Sequence, residues 1–288
     1  MKRTVIAILM AMLLAGVARA ENTAPRTIVT TFYPMQIAVL NLTAGVAGVR
    51  VVNLAAPTAG CLHDYHLTAG DMAMLSKADV VVANGAGMES FLETIVRRWP
   101  ALPVINASEG LDLLSVSGQS NAHVWVSPTR HIGQIRAIAE GLARWDPTHA
   151  GEYRRNGELY REKLETLKRH MDSTLGECRG RKIMTFHEAF AYFAADFNLT
   201  VVAVIEREPG AEPSAGELAK LIRTVRETGV KAIFVEPQYP AKSAVVIARE
   251  TGATLYTLDP VVSGPVESDA YLAIMARNEA ELKRALTR

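Results

Sequence analysis

The feature that most limits the fold begins at Asp146-Pro147, after which roughly 30 residues pass with no proline and no strong turn signal. Within them Tyr153, Tyr160, Leu164, Leu167, Met171 and Leu175 recur at spacings of seven, four, three, four and four, one apolar stripe on an otherwise charged helix. Asp146 stands where a capping acid would, and Pro147 at the first helical position, where its missing N–H costs nothing. At 1.5 Å per residue the helix is about 45 Å long, more than one small lobe needs. It is either a surface helix or a rigid strut between two lobes. The strut is favoured, because similar patterns flank it on both sides.

On the N-terminal side, short β-rich runs at Thr27–Thr31, Arg50–Leu54, Asp79–Ala83 and Pro103–Asn106 alternate with helical periodicity at Asp71–Lys77, Glu89–Arg98 and Thr129–Arg144. On the C-terminal side the runs are Lys182–Phe186, Thr200–Ile205, Ala232–Glu236 and Thr254–Leu258, with helices at Glu188–Phe197, Ser214–Thr228, Ala241–Thr251 and Asp269–Leu286. Such alternation implies parallel sheets with helices on their faces. The expected class is α/β: two lobes, each a mostly parallel sheet with flanking helices, joined by one long rigid helix. The expected boundaries are a signal peptide at 1–20, an N-terminal lobe at 21–145, a linker helix at 146–178 and a C-terminal lobe at 179–288. The length allows two lobes with separate cores of roughly 100–150 residues each.

Residues 1–20 carry a charged start (Lys2, Arg3), an apolar core from Val5 to Val17 and the small-x-small site Ala18-Arg19-Ala20. The core is too short for a membrane span of about 20 residues. No cysteine follows it closely, so a free periplasmic protein is expected rather than a lipid-anchored one. Loss of Lys2, Arg3 and Arg19 takes Lys+Arg from 31 to 28 against 30 Asp+Glu, a net charge of −2. That balance gives nucleic acid no attraction. Two cysteines, Cys61 and Cys178, make no disulfide framework, and they are expected to be unpaired.

Ligands of open α/β sheets sit beyond the carboxyl ends of the strands. Four candidate metal donors lie at such places: His63 in the loop after Arg50–Leu54, His123 just before a helix, His187 directly after Lys182–Phe186, and Asp259 directly after Thr254–Leu258. Three imidazoles and a carboxylate suit Zn2+ at four-coordination, although no two of them are close in sequence, as in the HExxH or CxxC signatures. Other residues have plainer readings. Cys61 is a soft donor or, more simply, a small loop residue; His66 is a helper or a solvated histidine. Glu206, Glu208 and Glu212 read as an exposed acidic loop, His131, His149 and His170 as solvated helix residues, and Glu236 ranks below Asp259 as a ligand. A zinc hydrolase would need an open position for water and a general base. Glu188 is its only obvious base, and with Asp259 as fourth ligand no reactive water remains. A surface adhesin would need an anchor or a partner patch, and neither is visible.

Several motifs in order over nearly the whole mature chain resemble the zinc- and manganese-binding proteins of metal ABC importers, the TroA-like family. Thr31-Phe32-Tyr33-Pro34 resembles the family's opening strand and turn. His63-Asp64-Tyr65 with Thr68 and Asp71 resembles its first-ligand motif, His123-Val124-Trp125-Val126-Ser127-Pro128 the second, and Thr185-Phe186-His187-Glu188-Ala189-Phe190 the third. Leu75–Asp79, Asn84–Glu89, Pro213-Ser214, Ile233–Glu236 and Leu258-Asp259-Pro260 continue the match. The resemblance implies that His63, His123, His187 and Asp259 bind one transported metal, that an ABC importer permease receives it, and that the long helix restrains closure of the lobes. It implies Zn2+ over Mn2+, since manganese members tend to carry a carboxylate where His187 stands. A monomer is expected. Two departures stand out: Leu62 and His66 occupy positions where the family usually has proline and glutamate, and Leu111–Asn121 is short and neutral where many zinc members carry a histidine-rich acidic loop.

Overall fold

The structure is a computed structural model that describes residues 24–56, 60–62, 65–116, 118–206 and 210–287. The first sheet holds β1 (Arg26–Thr30), β2 (Val49–Asn53), β3 (Val80–Ala83) and β4 (Val104–Asn106), all parallel in the order β2-β1-β3-β4. Its helices are α1 (Tyr33–Leu42), α2 (Ala69–Leu75), α3 (Leu92–Arg98) and α4 (Pro128–Trp145). A two-stranded antiparallel hairpin, β5 (Ser115–Val116) with β6 (Gln119–Ser120), precedes α4. After α5 (Ala150–Thr174), the second sheet holds β7 (Lys182–Thr185), β8 (Thr200–Val204), β9 (Ala232–Val235) and β10 (Thr254–Thr257), again parallel, in the order β10-β9-β7-β8. It is flanked by α6 (Ala191–Asp196), α7 (Ala215–Thr228), α8 (Lys242–Thr251) and α9 (Ala270–Leu286). The two-lobe architecture expected from the alternation is present.

The local chemistry explains most boundaries. Thr68 caps α2 and Asp71 returns a bond to the Thr68 N–H; Ser214 and Glu217 do the same for α7. Gly229 and Gly252 end α7 and α8 in the left-handed conformation. Helix α1 was not among the expected elements, where Thr31–Pro34 reads only as strand and turn. Pro34 in its first turn is the signal that marks it.

The long helix differs at its start. Residues 147–149 form a 3-10 turn, and the α-helix proper, 25 residues long, spans about 38 Å. Asp146 makes no capping bond. Its buried carboxylate instead takes Arg26, His149 Nδ1 at 2.7 Å and Tyr153 Oη at 3.0 Å, and despite burial those partners hold it below the usual carboxylate range. The strand β1 is thereby tied to the start of α5. Along α5 the stripe Tyr153, Tyr160, Leu164, Met171 and Leu175 is buried, with Leu167 partly so. It packs on α1, α4 and α9, helices from both sides of the molecule.

Separate cores were expected, and here the structure differs. One apolar cluster runs from Ile28 and Val81 through Tyr160 and Met171 to Phe193, Phe234 and Tyr271, while a second cluster, with Met184, Phe186, Ile233 and Ile247, covers only the far face of the second sheet. The reason is α5, whose stripe is too long to be covered by one lobe. Within the second sheet, Ile183 and Phe234 face the first cluster while Met184 and Ile233 face the second, the period-two alternation of a sheet covered on both faces.

Glu89 fastens the first sheet beneath the cleft. It is buried and accepts from Thr31 Oγ1 at 2.8 Å, Asn84 N at 2.7 Å and Gly85 N at 3.0 Å. Gly85 has φ +75°, and a Cβ there would lie 1.9 Å from Asn106 Oδ1. Gly85→Ala should therefore cost roughly 2 kcal/mol or more, since both conformation and space oppose it, and thermal denaturation should show the lowered Tm.

Candidate metal centre between the two sheets

The candidate donors sit where strands end. His187 follows β7 directly and is fully buried; His123 follows the β5–β6 hairpin and is almost as buried. Their Nε2 atoms lie 3.1 Å apart. The opposite face of each ring is occupied. Asn121 Oδ1 is 3.1 Å from His123 Nδ1 and also accepts the His123 N–H at 2.9 Å, while Glu236 Oε1 is 2.5 Å from His187 Nδ1. An amide oxygen and a carboxylate only accept, so both Nδ1 atoms must carry the proton. Both Nε2 lone pairs are then turned on the same point, and a shared proton or a cation is what reconciles them. Two nitrogens bound to one zinc at about 2.0–2.1 Å and a tetrahedral angle stand about 3.3–3.4 Å apart, close to the distance found. Burial alone would lower His187, but the Glu236 carboxylate, and then Cys61, outweigh it and push it up to about 10.

A third donor converges on the pair. Cys61 Sγ is 3.6 Å from His187 Nε2, and the ligand atoms of Cys61, His123 and His187 all lie within 4.8 Å of one another. Cys61 and Cys178 are not bonded to each other, as expected. His63 lies outside the described residues. Asp259 directly follows β10, with its Oδ1 accepting from Gln238 Nε2 at 3.0 Å and Val261 N at 2.8 Å, and its backbone clamped by Asn278 of α9. Burial pushes its carboxyl up against those bonds. Val261, a buried β-branched residue, is held at φ +61° in this turn, a strained conformation of the kind found at functional sites.

The segment carrying His123 is threaded between the two sheets. Trp125 Nε1 donates to Pro260 O, Tyr271 Oη to Trp125 O, Tyr192 Oη to Asn121 O, Asn121 Nδ2 to Glu188 O, and Ser127 Oγ to Asp196. Tyr33 Oη adds a bond to Pro265 O. With Asn84 Nδ2 donating to Ala122 O at 2.9 Å from the first sheet's side, the His123 segment is fixed by partners from both sides.

Three plainer expectations need correction, and Glu236 gains a role beside its lower rank as a ligand. His131 is not solvated but wholly buried, stacked on Tyr271 at 4.3 Å and bonded to Gln134. His149 is part-buried and paired with Asp146. Glu206 is buried, not on an exposed loop, and Glu208 lies outside the described residues. Glu236, weighed only as a lesser ligand, touches His187 as its orienting carboxylate. Its place after β9, beside the His187 strand, was the available signal. Of the others, His170 and Glu212 are exposed, as expected, and His66, read as a helper or a solvated histidine, is exposed as well. Carboxylates of this kind hold a metal-binding imidazole in its tautomer. Glu236→Gln should weaken metal binding by about 10- to 100-fold with the fold retained, measured by competition titration alongside circular dichroism.

A family model described as the periplasmic zinc-uptake complex component A, ZnuA, matches residues 28–285. The chain belongs to the ZnuA family. Within it, the high-affinity zinc uptake system protein ZnuA of Bacillus subtilis is 29% identical over 280 residues, covering 90% of this chain and 87% of that one. The solute-binding protein FpvC of Pseudomonas aeruginosa, solved in complex with Mn2+, is 31% identical with a TM-score of 0.83 over 91% of this chain and 98% of its own. Zn(II)-bound AdcA of Streptococcus pneumoniae is 27% identical with a TM-score of 0.80 over 92% of this chain, which spans 58% of that longer protein. ZnuA-family proteins are solute-binding components of metal importers and not enzymes, so the hydrolase reading falls. Among the described residues no helix is long and apolar enough to cross a membrane.

Proposed function

We propose that this chain captures Zn2+ in the cleft between its two sheets and delivers it to the membrane permease of an ABC importer. The observation that carries the reading is the 3.1 Å approach of two buried Nε2 atoms whose rings are each pinned from behind by Asn121 and Glu236. Zinc is the cargo, and three imidazoles with one harder donor suit it better than Mn2+, which favours oxygen ligands and higher coordination. The proposed ligands are His123 and His187, with His63 and Asp259 as the remaining donors that the family resemblance implies. The lobes are taken as residues 21–145 and 179–288 with 146–178 as linker, the protein as a monomer, and the periplasm as its place of work after cleavage behind Ala20.

Metal analysis of protein purified from periplasm without added metal tests the function: zinc near one equivalent is expected, and manganese in its place would overturn the assignment. In the same preparation mass spectrometry should find a chain starting at Glu21, and a retained N-terminus or an attached lipid would refute the export proposal. Deleting the gene should slow growth under zinc chelation, with excess zinc restoring it.

A further inference from the structure

We propose that Cys61 supplies a thiolate ligand to the transported metal, making the cleft a mixed nitrogen and sulfur site. The proposal rests on the zinc reading above and adds to it a donor outside that ligand set. Its first support is distance. A zinc with sulfur at about 2.3 Å and nitrogen at 2.0–2.1 Å, at a tetrahedral angle, places them about 3.5–3.6 Å apart. Cys61 Sγ and His187 Nε2 are 3.6 Å apart, and His123 Nε2 completes a triangle of donors within 4.8 Å.

The second support is how the loop is held. The Cys61 N–H donates to Tyr239 Oη at 3.2 Å, and Tyr239 stacks on Phe186, the residue before His187. Gly60 has φ +75°, and a Cβ on it would lie 2.5 Å from that same hydroxyl. A loop from the first sheet is therefore fastened to the second by a contact only glycine permits, and the fastening brings Sγ to the imidazoles. Asp259 meanwhile has its Oδ1 held by Gln238 and Val261. Among the described residues Cys61, and not Asp259, joins His123 and His187 in a group of donor atoms all within 4.8 Å of one another. The thiol proton goes to solvent as the Zn–S bond forms. A thiolate also favours zinc and cadmium over manganese, which no oxygen donor in this cleft would do.

The test is zinc X-ray absorption on the reduced, full-length mature protein loaded with one equivalent of zinc. One sulfur scatterer at about 2.3 Å beside nitrogen and oxygen at about 2.0–2.1 Å is expected. Cys61→Ser should lose the sulfur shell, keep bound zinc with affinity lowered about tenfold, and show a smaller cadmium-over-zinc preference. Cys178→Ser, which alters a thiol buried in the turn before β7, should keep the shell. Native protein that binds zinc with no sulfur scatterer overturns the thiolate while leaving the zinc reading intact. Native protein that retains no zinc overturns the zinc reading itself. A sulfur shell lost in Cys178→Ser and kept in Cys61→Ser would also refute the proposal.

Discussion

His187→Ala is expected to weaken zinc binding by about 100-fold or more while the protein stays folded. Zinc held by a full ligand set in small proteins is bound by about 10–16 kcal/mol, so one of four ligands carries about 3 kcal/mol. His187 loses more than a donor, because its removal leaves the buried Glu236 carboxylate without its imidazole, and Glu236 Oε2 already has no hydrogen-bond partner. Competition against a chromophoric chelator measures the loss. A change below about threefold would remove His187 from the site. His187→Glu separates selectivity from affinity: it replaces a nitrogen with an oxygen donor, so the zinc-over-manganese ratio should fall. An unchanged ratio would detach His187 from selectivity.

The second large effect is acid sensitivity of the metal-free protein through His131. Burial lowers this imidazole to about 4, against the ordinary 6.5, and the Gln134 bond opposes the shift only in part. The depressed value fixes the sign. Between about pH 6.5 and 4 the unfolded chain binds a proton at His131 that the folded protein refuses, so stability is lost as pH falls through that window. A shift of this size corresponds to about 3 kcal/mol, a large part of a total of roughly 5–15 kcal/mol. Asp146, whose carboxyl is held below its usual range, adds its own loss at lower pH. Denaturant unfolding between pH 7 and 4 measures the slope. His131→Leu should flatten it above pH 4.5, and an unchanged slope would assign the loss to other groups.

His131 also shows where sequence patterns run out. A histidine on an amphipathic helix reads as solvated, and nothing in α4 alone says that Tyr160 and Tyr271 will close over it. The strands of the two parallel sheets were legible to within a residue or so because their apolar runs are short, β-branched and bounded by turns, whereas β5 and β6, two residues each, were not. The apolar stripe of α5 was legible because a 3.6-residue period cannot be mistaken over 25 residues. Its start at Asp146-Pro147 was legible too, but not that the first turn would be 3-10, nor that the Asp146 carboxylate would serve Arg26, His149 and Tyr153 in place of a cap.

By itself the sequence determined two α/β halves around a long helix, and it determined that His187 and Asp259 come at the ends of strands and His123 just before a helix, because strand period and chain direction are local properties. Tertiary structure decided which donors meet. His123 and His187 are 64 residues apart, and Cys61 and His187 126 apart, so their distances depend on how α5 sets one sheet against the other. The same packing turned Glu236 into the partner of His187 and brought Tyr239 onto the Cys61 loop. Neither contact has a periodicity or a spacing to announce it, because the residues that meet belong to different strands and loops, and only burial of the shared core fixes their separation.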